Sequence, residues 1–242
     1  DGQPIPPGQR LLLIADQGFG DVVMFARYLP WAFERAAEIV VACSTELVPL
    51  LARLYPRAIY HTRWDDIPDY AAFCPLSGLP RVAGTQLASI PETGPYMHAD
   101  PARAAAMQAW LAEKMPPGLR RVGIAWAGRP THNNDRNRSP ALSTFHAFAA
   151  TPGVGFVSLQ KGPATAQIAN WSGPAPLLDA DPLLHTFEDT AALIASLDLV
   201  VCVDTSVGHV TGALGKPAWV MLPFAPDWRW LLERDDSPWY PT

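Results

Sequence analysis

The chain has 242 residues, of which 49% are hydrophobic and only 17% charged, a balance that supplies a sizeable core and excludes intrinsic disorder. Its formal net charge of −5 gives no basis for broad electrostatic binding to nucleic acid, although a local basic site is compatible with it. No apolar run approaches the ~20 residues that span a bilayer. Cys43, Cys74 and Cys202 are an odd, unclustered set, which argues against a disulfide framework or a zinc site and points to a reducing, cytoplasmic setting.

The opening "DGQPIPPGQR" has no apolar signal segment and reads as a linker leading out of something upstream. "RLLLIAD" is then a continuous apolar run with a turn after it, the pattern of a strand buried on both faces. "GDVVMFARYLPWAFERA" shows helical spacing through Val22, Phe25, Leu29 and Phe33, with a kink expected at Pro30. "EIVVACS", "RAIYH" and "YAAFCPL" read as further strands, with "TELVPLLARLY" as a helix between the first two. After the aperiodic "IPETGPYMHAD" and an alanine-rich helix in "PARAAAMQAWLAEKM", a second alternating series begins at "RRVGIAWAG". It runs through a helix near Ser143–Ala150, the strand "GFVSLQ", the helix "TFEDTAALIASL", the strand "LVVCVD", the helix "GHVTGALG" and the strand "AWVMLP". The expected fold is α/β with two Rossmann-like halves, residues 1–99 and 100–242, and ligands belong at the carboxyl ends of the strands and in the crevice between the halves.

Four segments at strand ends carry candidate chemistry. In "DQGFGDVV", Gly18 and Gly20 let the backbone turn tightly beside a ligand, and Asp21 opens a helix. Val23 stands where a dinucleotide fingerprint needs its third glycine, so a nicotinamide site is rejected. Asp21 is open to two roles, a cap that complements the helix dipole or a carboxylate for chemistry. "AWAGRPTHNNDRNRS" gathers Arg129, His132, Arg136 and Arg138 in an acidic protein, either as a solvated loop or as guanidiniums for phosphate oxygens. "FVSLQKGP" brings Gln160 and Lys161 to a strand end, suited to a base, ribose or phosphate or else to a plain corner. In "LVVCVDTSVGHVTGALGKP", Asp204, Thr205, Ser206, Gly208, His209 and Thr211 follow a buried strand into a helix, whose first amides make a ready anion site. "DAD" at Asp179–Asp181 lacks supporting acids or histidines and reads as a loop; no metal is expected.

Together, in this order, these segments resemble the heptosyltransferase-like glycosyltransferases (family 9), above all the transferase domain that follows tetratricopeptide repeats in many bacterial proteins. The tail "LPFAPDWRWLLERDDSPWYP" shares the resemblance. "DTSVGHVTGALG" also resembles the diphosphate-binding segment of O-linked N-acetylglucosamine transferase. The resemblance implies the glycosyltransferase-B architecture, with the acceptor on the first half and the nucleotide-sugar on the second, and metal-independent transfer with inversion to a protein or glycan hydroxyl. It implies that Asp21 is the catalytic base, with a pKa lowered by its helix start, and that Arg138 stabilises the leaving diphosphate. It makes Gly18, Gly20, Gln160, Lys161, Asp204, Thr205, Ser206, Gly208, His209 and Thr211 nucleotide-sugar contacts. An upstream tetratricopeptide-repeat region and a final helix beyond "SPWYPT" are also implied; no cofactor, nucleic-acid partner or membrane span is. A non-catalytic sugar-nucleotide-binding or docking domain, and a nucleotide-sugar epimerase, share the architecture and stay as alternatives.

Overall fold

The apolar runs become short parallel strands. The computed structural model describes residues 2–91 and 94–241. In the first half, β1 (Arg10–Ile14), β2 (Glu38–Ala42), β3 (Ala58–His61) and β4 (Ala72–Pro75) form a parallel sheet in the order β3-β2-β1-β4. In the second, β5 (Arg120–Ala125), β6 (Val154–Ser158), β7 (Leu177–Asp179), β8 (Leu199–Val203) and β9 (Ala218–Met221) follow the order β7-β6-β5-β8-β9. The inner strands read as unbroken apolar runs because both of their faces are covered. The helices of the first half are α1 (Phe19–Phe25), α2 (Leu29–Phe33), α3 (Val48–Leu54) and α4 (Leu79–Val82). Those that follow are α5 (Pro101–Lys114), α6 (Asp135–Arg138), α7 (His146–Ala149), α8 (Phe187–Ala195) and α9 (Ser206–Ala213).

In both sheets the strand order reverses at the first strand, β1 or β5. A crevice opens at such a reversal, outside the carboxyl ends of the strands. The loops leaving β1 and β5 are the glycine loop and the basic loop, so topology places both at these crevices.

Several expectations need correction. The helix expected from Gly20 onward is two helices: α1 ends at Phe25, Ala26–Tyr28 tighten into a 3₁₀ turn, and Pro30 lies in the first turn of α2. There the missing proline N–H costs nothing, so the proline opens a helix instead of kinking one. The helix expected at 143–150 is a 3₁₀ turn, Leu142–Phe145, running into α7. Asp179 is no loop residue but the last residue of β7, a three-residue edge strand.

The two halves share one core. Val22 and Val23 of α1 are buried in the same apolar cluster as Val207, Val210 and Ala213 of α9. A second cluster, around Trp126, Phe145 and Phe156, fills the outer face of the second sheet. Helix α5 lies against α8, with Arg103 ion-paired to Asp189. Polar contacts tie the halves as well: Arg53 of α3 pairs with Glu188 of α8 at 2.6 Å, and the Tyr96 backbone N–H donates to the Ala213 carbonyl at 3.1 Å. The tail then returns to the first half, setting Trp239 edge-on to Phe25. It seats Trp239 and Tyr240, with Tyr96, around the buried Arg27 guanidinium.

Candidate active site

Helices α1 and α9 both leave the carboxyl end of a strand, and they pack side by side, so their N-termini open onto one cleft. Gly20 sets the spacing: a Cβ there would run into the His209 ring. The cleft holds a cavity of about 590 Å³ lined from both halves, with Gly18 and Asp21 on one side and Arg129, His132 and Arg138 on the other. Asp204, Thr205, Ser206 and His209 form its floor. A second cavity of about 430 Å³ lies among the strand ends of the second half, lined by Gln160, Lys161, Leu184 and His185. The two share Phe19, Arg129, Thr205 and Ser206, so they form one continuous bowl. A smaller space of about 210 Å³ at the strand ends of the first half adjoins it through Gln17 and Phe19 and is lined by Ser44, His61 and Trp64.

Asp21 is the third residue of α1. One carboxylate oxygen accepts the Gly18 N–H at 3.1 Å and the other meets the Arg229 guanidinium. Burial pushes its pKa above the ordinary carboxylate value, and Arg229 and the Gly18 amide only partly offset this. The expected lowering by the helix start is therefore corrected: desolvation outweighs the end of a helix only seven residues long. Burial also raises Asp204, against the opposing effects of the Trp230 side chain and Arg229.

Arg138, at the end of α6, donates to the Asp204 carbonyl at 3.0 Å and lies within 3.5 Å of Asp135. Its guanidinium passes over Gly128, where any Cβ would collide with it. Thr205 occupies the N-cap position of α9, with no side-chain capping bond, and Ser206 is its first residue, so this helix start borders both cavities. His209 is nearly fully buried, its Nδ1 2.9 Å from the Tyr240 hydroxyl and its ring stacked on Trp230. Burial, with help from Arg229 and Arg27, pulls its pKa down to about 3, so it faces the cavity as a neutral imidazole.

Other candidates have different places. Gln160 is buried, and its amide is fully used by backbone: Oε1 accepts from Trp126 and Ala127, and Nε2 donates to the Ala127 and Lys161 carbonyls. It shapes the start of the basic loop. Lys161 is half-exposed beside the second cavity and pairs with Asp181 at 2.5 Å. Gly208 lies on the far side of α9, where a Cβ would meet the Cys202 sulfur at 3.2 Å. Thr211 is completely buried and donates back to the Val207 carbonyl at 2.7 Å. Neither Gly208 nor Thr211 lines the bowl.

Sequence reasoning passed over Arg229 and Asp227. They come from the tail after β9, where Asp227 caps the turn Trp228–Trp230 and pairs with Arg229 at 2.6 Å. The signal available was "PDWRW", a charged pair set among tryptophans in an otherwise loop-like tail.

Residues 185–220, which run from α8 to β9, match glycosyltransferase family 9 (heptosyltransferase). The solved glycosyl transferase family 9 structure from Veillonella parvula superposes with a TM-score of 0.65 at 10% identity, covering 92% of this chain and 84% of that one. This chain has a glycosyltransferase-B-like α/β fold. The E. coli heptosyltransferase WaaC, solved with ADP, shares that fold at a TM-score of 0.55 and 16% identity over 90% of this chain and 88% of its own. Protein FlbA of Caulobacter vibrioides is 32% identical over 97% of this chain. The chain spans 42% of FlbA, less than half of that curated relative. Together these matches show the fold, with the likeness to family 9 itself carried by residues 185–220. Among the described residues no helix is long and apolar enough to cross a membrane, and no group of three His, Cys, Asp or Glu residues is gathered to hold a metal ion.

Proposed function

We propose that this domain is an inverting, metal-independent glycosyltransferase that moves a sugar from a nucleotide-diphosphate-sugar to a hydroxyl. One observation carries the reading: a single carboxylate from the first half, Asp21, shares a 590 Å³ cavity with Arg129, Arg138 and the start of α9 from the second. The nucleoside fits the adjoining cavity beside Lys161 and His185, and the diphosphate spans Ser206 and the arginines. As the acceptor oxygen attacks the anomeric carbon, its proton passes to Asp21. The bond from that carbon to the phosphate oxygen breaks, and its electrons leave with the nucleoside diphosphate. The new bond forms on the face opposite the leaving group, which inverts the centre. Arg138 and the α9 amides meet the leaving charge, the task a bound cation would otherwise serve.

The heptosyltransferase relatives make a heptosyl or hexosyl donor the first choice, with a protein or surface-polysaccharide hydroxyl as acceptor. On the same reading the domain works in the bacterial cytoplasm beside tetratricopeptide repeats. A thermal-shift panel of nucleoside diphosphates and nucleotide-sugars tests it, since a ligand at 100 times its Kd stabilises by about 2.7 kcal/mol. A selective shift with one nucleotide, followed by transfer from its sugar conjugate, is expected. No shift across the panel would overturn the reading.

A further inference from the structure

Arg229 is an unusual partner for a catalytic base. It comes from a tail segment 208 residues after Asp21 in sequence, yet its Nη2 takes one carboxylate oxygen of Asp21 while Gly18 N–H holds the other. Arg229 is itself anchored. Its Nη1 pairs with Asp227, its guanidinium lies 5.1 Å from the Trp228 ring centre, and the next residue, Trp230, stacks on His209 of α9. Side-chain exposure is only 9% for Arg229 and 18% for Asp21, so water does little to loosen the pair.

Two other roles fit less well. A diphosphate ligand needs free N–H groups, and each Nη of Arg229 already commits one of its two N–H groups to a carboxylate. Its Nε is buried and meets no partner among the described residues. Arg129 and Arg138 present positive charge to the same cavity without carboxylates on both terminal nitrogens. A purely stabilising ion pair is also a weak explanation, because burying two charges costs about as much as their attraction returns.

We propose that Arg229 is the positioning residue for Asp21: with the Gly18 amide it fixes the carboxylate, one contact on each oxygen, and leaves the remaining lone pairs toward the acceptor. A carboxylate has about four lone-pair sites, so two clamping contacts leave room for a proton. The base on the first half is thus aligned by the second, and it is complete only while the halves are together. This rests on the glycosyltransferase reading for its role in turnover, but the contact itself does not.

The test combines Arg229→Lys, Arg229→Gln and Asp227→Asn in the whole chain. First, the Asp21 carboxyl is titrated by carbon-13 NMR in the free protein. The titratable and charged groups around it are Arg229 and Asp227 from the tail, Asp204 and His209 at α9, and Arg129, His132 and Arg138 from the basic loop. Losing the cation disfavours the carboxylate, so Arg229→Gln moves the midpoint up by about one pH unit or more, and Arg229→Lys restores much of it. Second, binding of ADP, GDP and UDP is measured by calorimetry and stays within about twofold of wild type. Third, kcat falls about tenfold or more in Arg229→Gln with KM little changed, its acid limb moves upward with the NMR midpoint, and Asp227→Asn gives a smaller loss. An Asp21 midpoint unmoved in folded Arg229→Gln overturns the proposal, as does a tenfold loss of nucleotide affinity. If no nucleotide-sugar is ever turned over, the functional reading falls, while the NMR titration still decides whether Arg229 controls Asp21.

Discussion

The loops that leave β1 and β5 sit at equivalent points of two similar sheets, yet they carry opposite chemistry. The first is short and leads into α1, which brings one carboxylate, Asp21, to the cavity, with Gly20 letting α1 press against α9. The second is long and brings three arginines and a histidine to the strand end, two of those arginines reaching the cavity. The same architecture thus supplies a place for charge and leaves its sign to the loop. On the proposed function the first wall supplies a proton acceptor and the second the anion-binding groups, the pair a two-substrate transfer needs.

Breaking one wall at a time sharpens the comparison. Asp21→Asn keeps the shape of the first wall and removes its charge. Transfer should slow by about 100- to 10,000-fold while donor affinity stays within about twofold, because the donor is held by the other wall. If Asp21 only holds the helix start and Arg229, the rate stays at the wild-type value and only stability falls, because the Arg229 charge loses its partner. Arg138→Ala weakens the second wall. Calorimetry should show nucleoside-diphosphate binding weaker by about 1.5–3 kcal/mol, the value of a hydrogen bond to a charged group. Unchanged affinity would remove Arg138 from the donor site.

Gly20→Ala tests the seam between the walls. The new methyl collides with the His209 ring, and overpacking of this kind costs about 1–3 kcal/mol in denaturant unfolding. His209 gives the smallest effect and the clearest sign. Its folded pKa of about 3 lies below the 6.5 of an unperturbed histidine. Between those values the unfolded chain binds a proton that the folded chain does not, so stability falls as pH drops below about 6.5. His209→Gln should flatten that part of the melting-temperature profile, and a parallel profile would show that His209 does not control it.

Much of this was legible in residues 10–25 and 199–223, where an apolar run stops at small and polar residues and a helix begins. That pattern is local, and local physics reads it. β7 was missed because three residues between a proline-rich stretch and "DAD" give no periodicity to read. The faces of α9 were unreadable for a different reason. From Val207 to Ala213 every residue is buried, so no polar stripe distinguishes His209, which borders the cavity, from Gly208 and Thr211, which do not. Arg229 was hidden by distance, since no spacing rule links position 229 to position 21.

The most direct measurement of the central claim is the stereochemistry of transfer. The nucleotide-sugar chosen by the thermal-shift panel is incubated with the domain, an acceptor and a chelator, and the anomeric signals are followed by NMR in real time. The account predicts a single product of inverted anomeric configuration, formed with one nucleoside diphosphate released per sugar transferred and at a rate the chelator does not change. A product of retained configuration, or a reaction that stops on metal removal, would contradict it.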